Sequence, residues 1–352
     1  MLITILSFLF MFAAVVLSHE FGHYIFAKRG GIRVHEFALG FGPKIFSFIK
    51  NNTQYCLNLI PVGGYVRLAG ILEFGEEEPP EEKITPEEEK YYTKPVGSKF
   101  KTIAGGPFMN IVLAFLILYA IFISIGVPTS ISKEIGLIVP GSPAAKAGLQ
   151  PGDRLEAING KTVDNMVNAI EFIHKSSGKL IRLTIGRGMT TFDVSITPKY
   201  DPKMKVGLIG FSPKPIYKKY GPILTLWKGI EGVVGMIILT LSMLFALIAG
   251  KASIFDLVGP VGIAQMGGQV AHTGFIALLQ FTAFLSTNLA IVNLLPIPAL
   301  DGGRLVFVLI EGLRGKAIDI KKENRIHYIG LIVLLALLLL ITLNDILRII
   351  RR

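Results

Sequence analysis

The chain has a single cysteine, Cys56, in 352 residues, which excludes an intrachain disulfide framework and any cysteine-rich metal site. Charge is scarce as well. Only 17% of residues are charged against 51% hydrophobic, and the mean hydropathy is +0.57. A soluble domain of this size would carry more polar surface, so the composition points to an integral membrane protein. The charge that is present leans basic, with a net value of +11. No aromatic-basic stripe or recognition helix accompanies it, so nucleic acid is not an expected partner, and basic flanks of membrane helices explain the excess. Met1 to Ser18 lacks the basic start and small-residue cleavage site of a signal peptide. It reads as a retained first membrane helix.

Four stretches have the length and apolarity to span a bilayer, which takes about 20 residues. They run over residues 2–26, 103–127, 276–295 and 329–346. A fifth apolar stretch, 233–249, is shorter and follows Trp227, Lys228 and Glu231. Between the first two spans, residues 32–69 mix aromatic and β-branched residues with glycines, as in "GFGPKIF" and "GGYVRLAG", and predict strands and turns. The acidic run that follows, "EFGEEEPPEEKITPEEEK", lacks the ligand alternation of a calcium loop and reads as a solvated loop.

Residues 131–200 form an insertion of another kind. "GLIVPGSPAAKAGLQPGDRLEAINGKTV" resembles a PDZ domain: a strand, a short helix stopped by glycine, then a strand and an Asn-Gly hairpin. "NMVNAIEFIHK" adds a helix and "KLIRLTIGRG" a further strand. Such domains take an extended peptide as an added strand, so a peptide or protein ligand is expected here.

The chemistry-bearing motif is "HEFGH". It sets His19 and His23 one helical turn apart, so that both imidazoles face one way and can hold a single ion. Zinc suits neutral imidazoles, and a catalytic zinc keeps a position open for water. Glu20 stands beside the first histidine, where it can take that water's proton. Ionisable groups at the end of a hydrophobic run are costly unless they serve a purpose. Further on, "NLAIVNLLPIPALDGGRLVF" breaks a membrane helix at Pro296 and Pro298 and delivers Asp301, the best candidate for a third ligand.

These pieces together resemble the site-2 protease family. HEFGH near the end of the first helix, a PDZ domain after the second and "NLLPIPALDGGR" at the third cover nearly the whole chain. The resemblance implies an intramembrane zinc metalloprotease that cuts transmembrane segments of membrane proteins, such as anti-sigma factors or signal-peptide remnants. It also implies that His19, His23 and Asp301 bind Zn2+, that Glu20 is the general base, and that Asn288 and Asn293 hold the substrate backbone. Residues 32–69 would be the family's membrane-associated β-hairpin region. The chain has room for one PDZ domain, where the sigma-E proteases of enteric bacteria carry two in tandem.

The expected fold is therefore a polytopic α-helical membrane protein of about four transmembrane helices, with a β-hairpin region and one inserted α+β PDZ domain. Its parts are an N-terminal membrane segment (1–130), the PDZ domain (131–200), a connector with an interfacial helix (201–274) and a C-terminal membrane segment (275–352). For His19, His23 and Asp301 to meet on one side, residues 233–249 must not cross. "AKRGGIR" and the basic stretch 316–325 then argue for a multi-pass protein of the bacterial cytoplasmic membrane, its active site towards the cytoplasm and its PDZ domain outside. Arg348, Arg351 and Arg352 argue the other way. Two other readings compete: a PDZ-bearing membrane adaptor without activity, and a zinc transporter. The full set of four site residues speaks against the first, and the lack of a second ligand cluster or inverted repeats against the second.

Overall fold

The computed structural model describes residues 2–71, 80–202, 204–253 and 257–350. The first part of the acidic run, the end of the basic tail and three residues after the fifth apolar stretch lie outside them. The chain forms two compact units, Met1–Ile121 with Leu226–Arg352, and Phe122–Thr225.

The first unit is built on helices. α1 (Leu2–Arg29) buries Ser7, Met11, Val15, His19 and His23, a stripe with a period of four. Its other faces carry Leu2, Leu6, Phe10, Leu17 and Phe21 exposed, as a lipid-facing helix requires. Lys28 and Arg29 suit the negative end of its dipole. β1 (Val34–Lys50) and β2 (Thr53–Leu68) follow, joined at Asn51-Asn52, both with positive φ, the turn that matches strand twist. Both strands bend. Residues 44–50 pair with 53–58, these pair with 36–39, and 36–39 pair in turn with 64–67. Phe41, Ile45, Phe46, Ile49, Leu59 and Ile60 are exposed near the tip, an apolar surface suited to a membrane-associated hairpin. At its base Glu36 is buried, which works against its charge. Hydrogen bonds from Cys56, Lys44 and Tyr65 nevertheless hold its carboxyl below the usual range. Burial and Glu36 together push the Cys56 thiol up to about 11, which leaves it inert.

A short helix α2 (Pro80–Lys83) leads to α3 (Val96–Ile125), which contains Pro107. The second unit begins there. β3 (Val127–Ile138) is followed by α4 (Pro143–Lys146), β4 (Arg154–Ile158), β5 (Lys161–Thr162), α5 (Met166–Lys175), β6 (Ile181–Arg187), β7 (Thr190–Ile196), β8 (Lys199–Asp201), β9 (Val206–Leu208) and β10 (Phe211–Lys218). The main sheet has the order β10-β3-β4-β6-β7, with β5 beside β4. Ile135, Leu155, Met166, Ile173, Leu183 and Ile185 form its core. Ser142 caps α4, and the expected Asn-Gly hairpin is the β4–β5 turn at Asn159-Gly160, with positive φ at both residues. Arg187 hydrogen-bonds Asp153 at 2.7 and 2.8 Å and holds that buried carboxyl below its usual range. The unit reaches beyond residues 131–200, because β10 completes the sheet by pairing with β3.

The chain returns to the first unit through α6 (Pro222–Ile248), followed by α7 (Pro260–Thr273), α8 (Phe275–Asn293), α9 (Asp301–Arg314) and α10 (Ile320–Ile350). Among the described residues five helices, α1, α3, α6, α8 and α10, are long and apolar enough to cross a membrane, one more than the four stretches read from the sequence. The addition is α6. The expectation that residues 233–249 stay at the interface rests on the side where Asp301 must meet His19 and His23; the helix there is longer than that stretch and runs through Lys228 and Glu231, which pair with each other at 2.7 Å one turn apart. Further along, the Thr240 hydroxyl donates to Asn288 on α8, so α6 packs against that helix. α7 lies along the first half of α1, with Gly267 against Met11 and Gly268 against Thr4.

Candidate active site

Three elements from distant parts of the sequence meet at one point. α1 supplies His19 and His23. α3 crosses it so closely that a β-carbon on Gly22 would stand 2.0 Å from the Gly105 carbonyl oxygen. α9 begins with Asp301. Its position depends on the broken backbone before it, where Ile297 donates to the Leu295 carbonyl and Leu300 to that of Ile297. Asp-Gly-Gly thus opens a helix. A β-carbon at Gly302 would lie 2.1 Å from the Leu295 carbonyl oxygen, so only glycine lets α9 start this close to the end of α8.

Asp301 Oδ2 stands 3.1 Å from His19 Nε2 and 3.4 Å from His23 Nε2, and the two imidazole nitrogens are 3.1 Å apart. Ligands held about 2.0–2.1 Å from a tetrahedral zinc are separated by about 3.3 Å. The match is close. Among the described residues, the buried Asp301 Oδ2 meets no donor besides the two imidazoles that face it. With both imidazoles neutral and protonated on Nδ1, three lone pairs converge on one point, an arrangement that fits a cation.

The tautomers agree with this. His23 Nδ1 lies 2.9 Å from the Thr102 carbonyl, which can only accept, so the proton sits on Nδ1 and the Nε2 lone pair faces the cluster. Pro107, within the same helix, withholds an amide from the Ile103 carbonyl beside it. His19 Nδ1 faces the fully buried Asn110 amide at 3.4 Å, and among the described residues Asn110 Oδ1 has no partner. Turning that amide over places its oxygen against His19 Nδ1–H and removes the unpaired acceptor, leaving His19 Nε2 free as well. Asn110 is anchored in turn, its carbonyl accepting from Ser286 on α8.

Glu20 points to the same place. Its carboxylate accepts from the Val66 amide on β2 and lies within electrostatic range of His23, His19 and Asp301. Of the two asparagines singled out in the sequence, Asn293 reaches the cluster, its Nδ2 3.4 Å from His19 Nε2. Asn288 does not, since five residues along a helix is about 140° round it, and its Oδ1 accepts from Thr240 instead.

The chain matches the model of peptidase family M50 over residues 7–337. It belongs to that family. Among its family relatives, the regulator of sigma-W protease RasP of Bacillus subtilis is 35% identical over 98% of both chains. The zinc metalloprotease RasP of Bacillus licheniformis is also 35% identical, over 98% of this chain and 99% of its own. The PDZ domain of the SdrC-like protein of Listeria monocytogenes covers 24% of this family member at 24% identity, with a TM-score of 0.22. M50 membership and several membrane-length helices make this a multi-pass membrane protein.

Reading the sequence missed the residues that orient the family's motif here. No local signal in the sequence shows that Asn110 and the Thr102 carbonyl address the two histidines. Gly106 bears on both imidazoles directly, because a β-carbon there would fall 2.4 Å from His23 Nε2 and 2.8 Å from His19 Cε1. Gly106→Ala is expected to weaken zinc binding by about tenfold or more, as displacing a ligand's support does. Competition with a zinc chelator measures it.

Proposed function

We propose that this chain is an intramembrane zinc metalloprotease in which His19, His23 and Asp301 hold the ion and Glu20 is the general base. The observation that carries the reading is the convergence of three ligand atoms, within 4.8 Å of one another, beside a helix of membrane-spanning length. When bound, zinc supplies a water of lowered pKa and polarises the scissile carbonyl. The residues do the rest. Glu20, oriented by the Val66 amide, takes the proton of the attacking water and returns it to the departing amine. Thr102 and Asn110 keep the imidazoles in the tautomer that presents Nε2. Asn293 places an amide at the cluster where it can hold the carbonyl of an extended substrate.

The substrates proposed are transmembrane segments of membrane proteins, with anti-sigma factors and signal-peptide remnants as the classes to try first. A relative's name as a regulator of sigma-W protease supports the first class. We place the active site towards the cytoplasm and the PDZ domain outside, with a peptide or protein as its ligand, in keeping with the basic residues Lys28, Arg29 and Arg33 just after the histidines.

Cleavage of a helical membrane substrate by the reconstituted protein, with and without a zinc chelator, tests the proposal. A protease cuts only with metal present. An adaptor cuts nothing, and a transporter moves zinc without proteolysis.

A peptide bond inside an intact helix has its backbone groups engaged, so the substrate must unwind locally before hydrolysis. Glycine and proline lower that cost by about 1 and 3 kcal/mol relative to alanine. Replacing such residues near the cut site by leucine is expected to slow cleavage about fivefold or more with binding retained. Equal rates for native and stiffened substrates would remove the unwinding step from the account.

A further inference from the structure

The break between α8 and α9 sets the position of Asp301, yet its internal hydrogen bonds hold it only in part. Pro296 and Pro298 have no amide to give. The amides of Ile297 and Leu300 are used inside the break. The Ala299 amide, two residues before Asp301, leaves it and donates to Nδ1 of His327 on α10 at 3.0 Å. Ala299 has a φ of 78°, in the left-handed region that its β-carbon disfavours, so its peptide needs a hold from outside.

α10 supplies that hold at two successive points. His327 is buried, with the Phe307 ring of α9 beside it at 5.7 Å between centroids. One turn on, α10 passes so close to the break that a β-carbon at Gly330 would lie 2.5 Å from Pro298 Cβ and 2.6 Å from its carbonyl oxygen. A helix of membrane-spanning length usually fills such a position with an apolar residue, since a buried imidazole is costly there. The cost is visible: His327 Nε2 is buried and has no hydrogen-bond partner among the described residues. What the imidazole contributes is one acceptor, Nδ1, at the Ala299 amide.

We infer that His327 is a positioning residue for the metal centre, acting through the Ala299 amide to hold the Asp301 carboxylate where His19 and His23 meet it. The inference rests on the zinc reading above and extends it to the last helix. His327 supplies no ligand atom; it fixes the peptide from which α9 starts.

The test uses the full-length protein in detergent and three variants, His327→Asn, His327→Gln and His327→Leu. Asparagine carries its oxygen where histidine carries Nδ1, glutamine carries its oxygen one bond further out, and leucine accepts nothing. Zinc affinity is read by chelator competition, and the geometry of the site by the visible absorption of the cobalt(II)-substituted protein. His327→Asn is expected to bind zinc within about threefold of the parent with an unchanged cobalt spectrum. His327→Gln and His327→Leu are expected to bind about tenfold or more weakly with a shifted spectrum. If His327→Leu does not fold, the contrast between asparagine and glutamine decides alone. Parental affinity and spectrum in a folded His327→Leu, or equal losses in Asn and Gln, would overturn the inference. A parent protein that binds no zinc would instead overturn the zinc reading itself, so the two failures are distinguishable.

Discussion

Replacing Asp301 by alanine is expected to remove zinc and proteolysis together. The carboxylate is the only oxygen ligand in a cluster whose other two members are imidazoles on α1. Losing it leaves two nitrogens 3.1 Å apart, one turn of helix carrying the whole site. Loss of a residue that merely orients a ligand costs about 10- to 100-fold in metal affinity, so loss of the ligand itself should exceed about 100-fold. Zinc per chain, measured after gel filtration at matched detergent, should fall from about one to nearly none. Asp301 begins α9 at N1, where an acidic residue also favours the helix dipole, so a small loss of stability accompanies the change. Asp301→Asn separates the effects, because it keeps the shape and helix start while giving up the charge that binds the ion. Full metal retention in both variants would take Asp301 out of the site.

Glu20→Gln makes the opposite demand. The amide keeps the size of the carboxylate and can still meet the Val66 amide through its oxygen, so the fold of α1 against β2 should persist. Zinc should remain, since Glu20 is not among the three grouped ligands. Cleavage should drop by about 10²–10⁴-fold, the usual contribution of a positioned general base, because an amide cannot take the water's proton. The variant would then hold substrate without cutting it, and crosslinking partners to it would identify what the protease acts on. Turnover within tenfold of the parent would mean that another group is the base.

Much of this site is legible in the sequence because each ligand sits on a local signal. His19 and His23 are separated by one helical turn, and a helix is what an apolar run of that length forms. Asp301 follows two prolines that must end α8. What a sequence cannot express is where separate helices touch. The Thr102 carbonyl is a backbone atom and has no identity in the sequence. Asn110 looks like any polar residue in a membrane helix until α3 crosses α1 at Gly22 and Gly105. The two asparagines of α8 look equivalent in "STNLAIVNLLP", yet helical phase sends Asn293 to the histidines and Asn288 to Thr240 on α6. α6 is longer than the apolar stretch 233–249, because it starts at Pro222 and runs through Lys228 and Glu231, whose mutual pairing offsets their charges within the helix. The inserted unit was recognised from its strand–helix–hairpin pattern, but its sheet closes with β10, whose partner β3 lies more than seventy residues earlier in the chain. Long-range pairing of that kind leaves no local trace.

The most direct measurement on the central claim is X-ray absorption at the zinc edge of the purified protein in its parental form. Two imidazole nitrogens and a carboxylate oxygen at about 2.0–2.2 Å, with the fourth position taken by a light atom and no sulfur, is the result expected from His19, His23 and Asp301. A sulfur shell at about 2.3 Å, which only Cys56 or a methionine could supply, or a single imidazole, would contradict it.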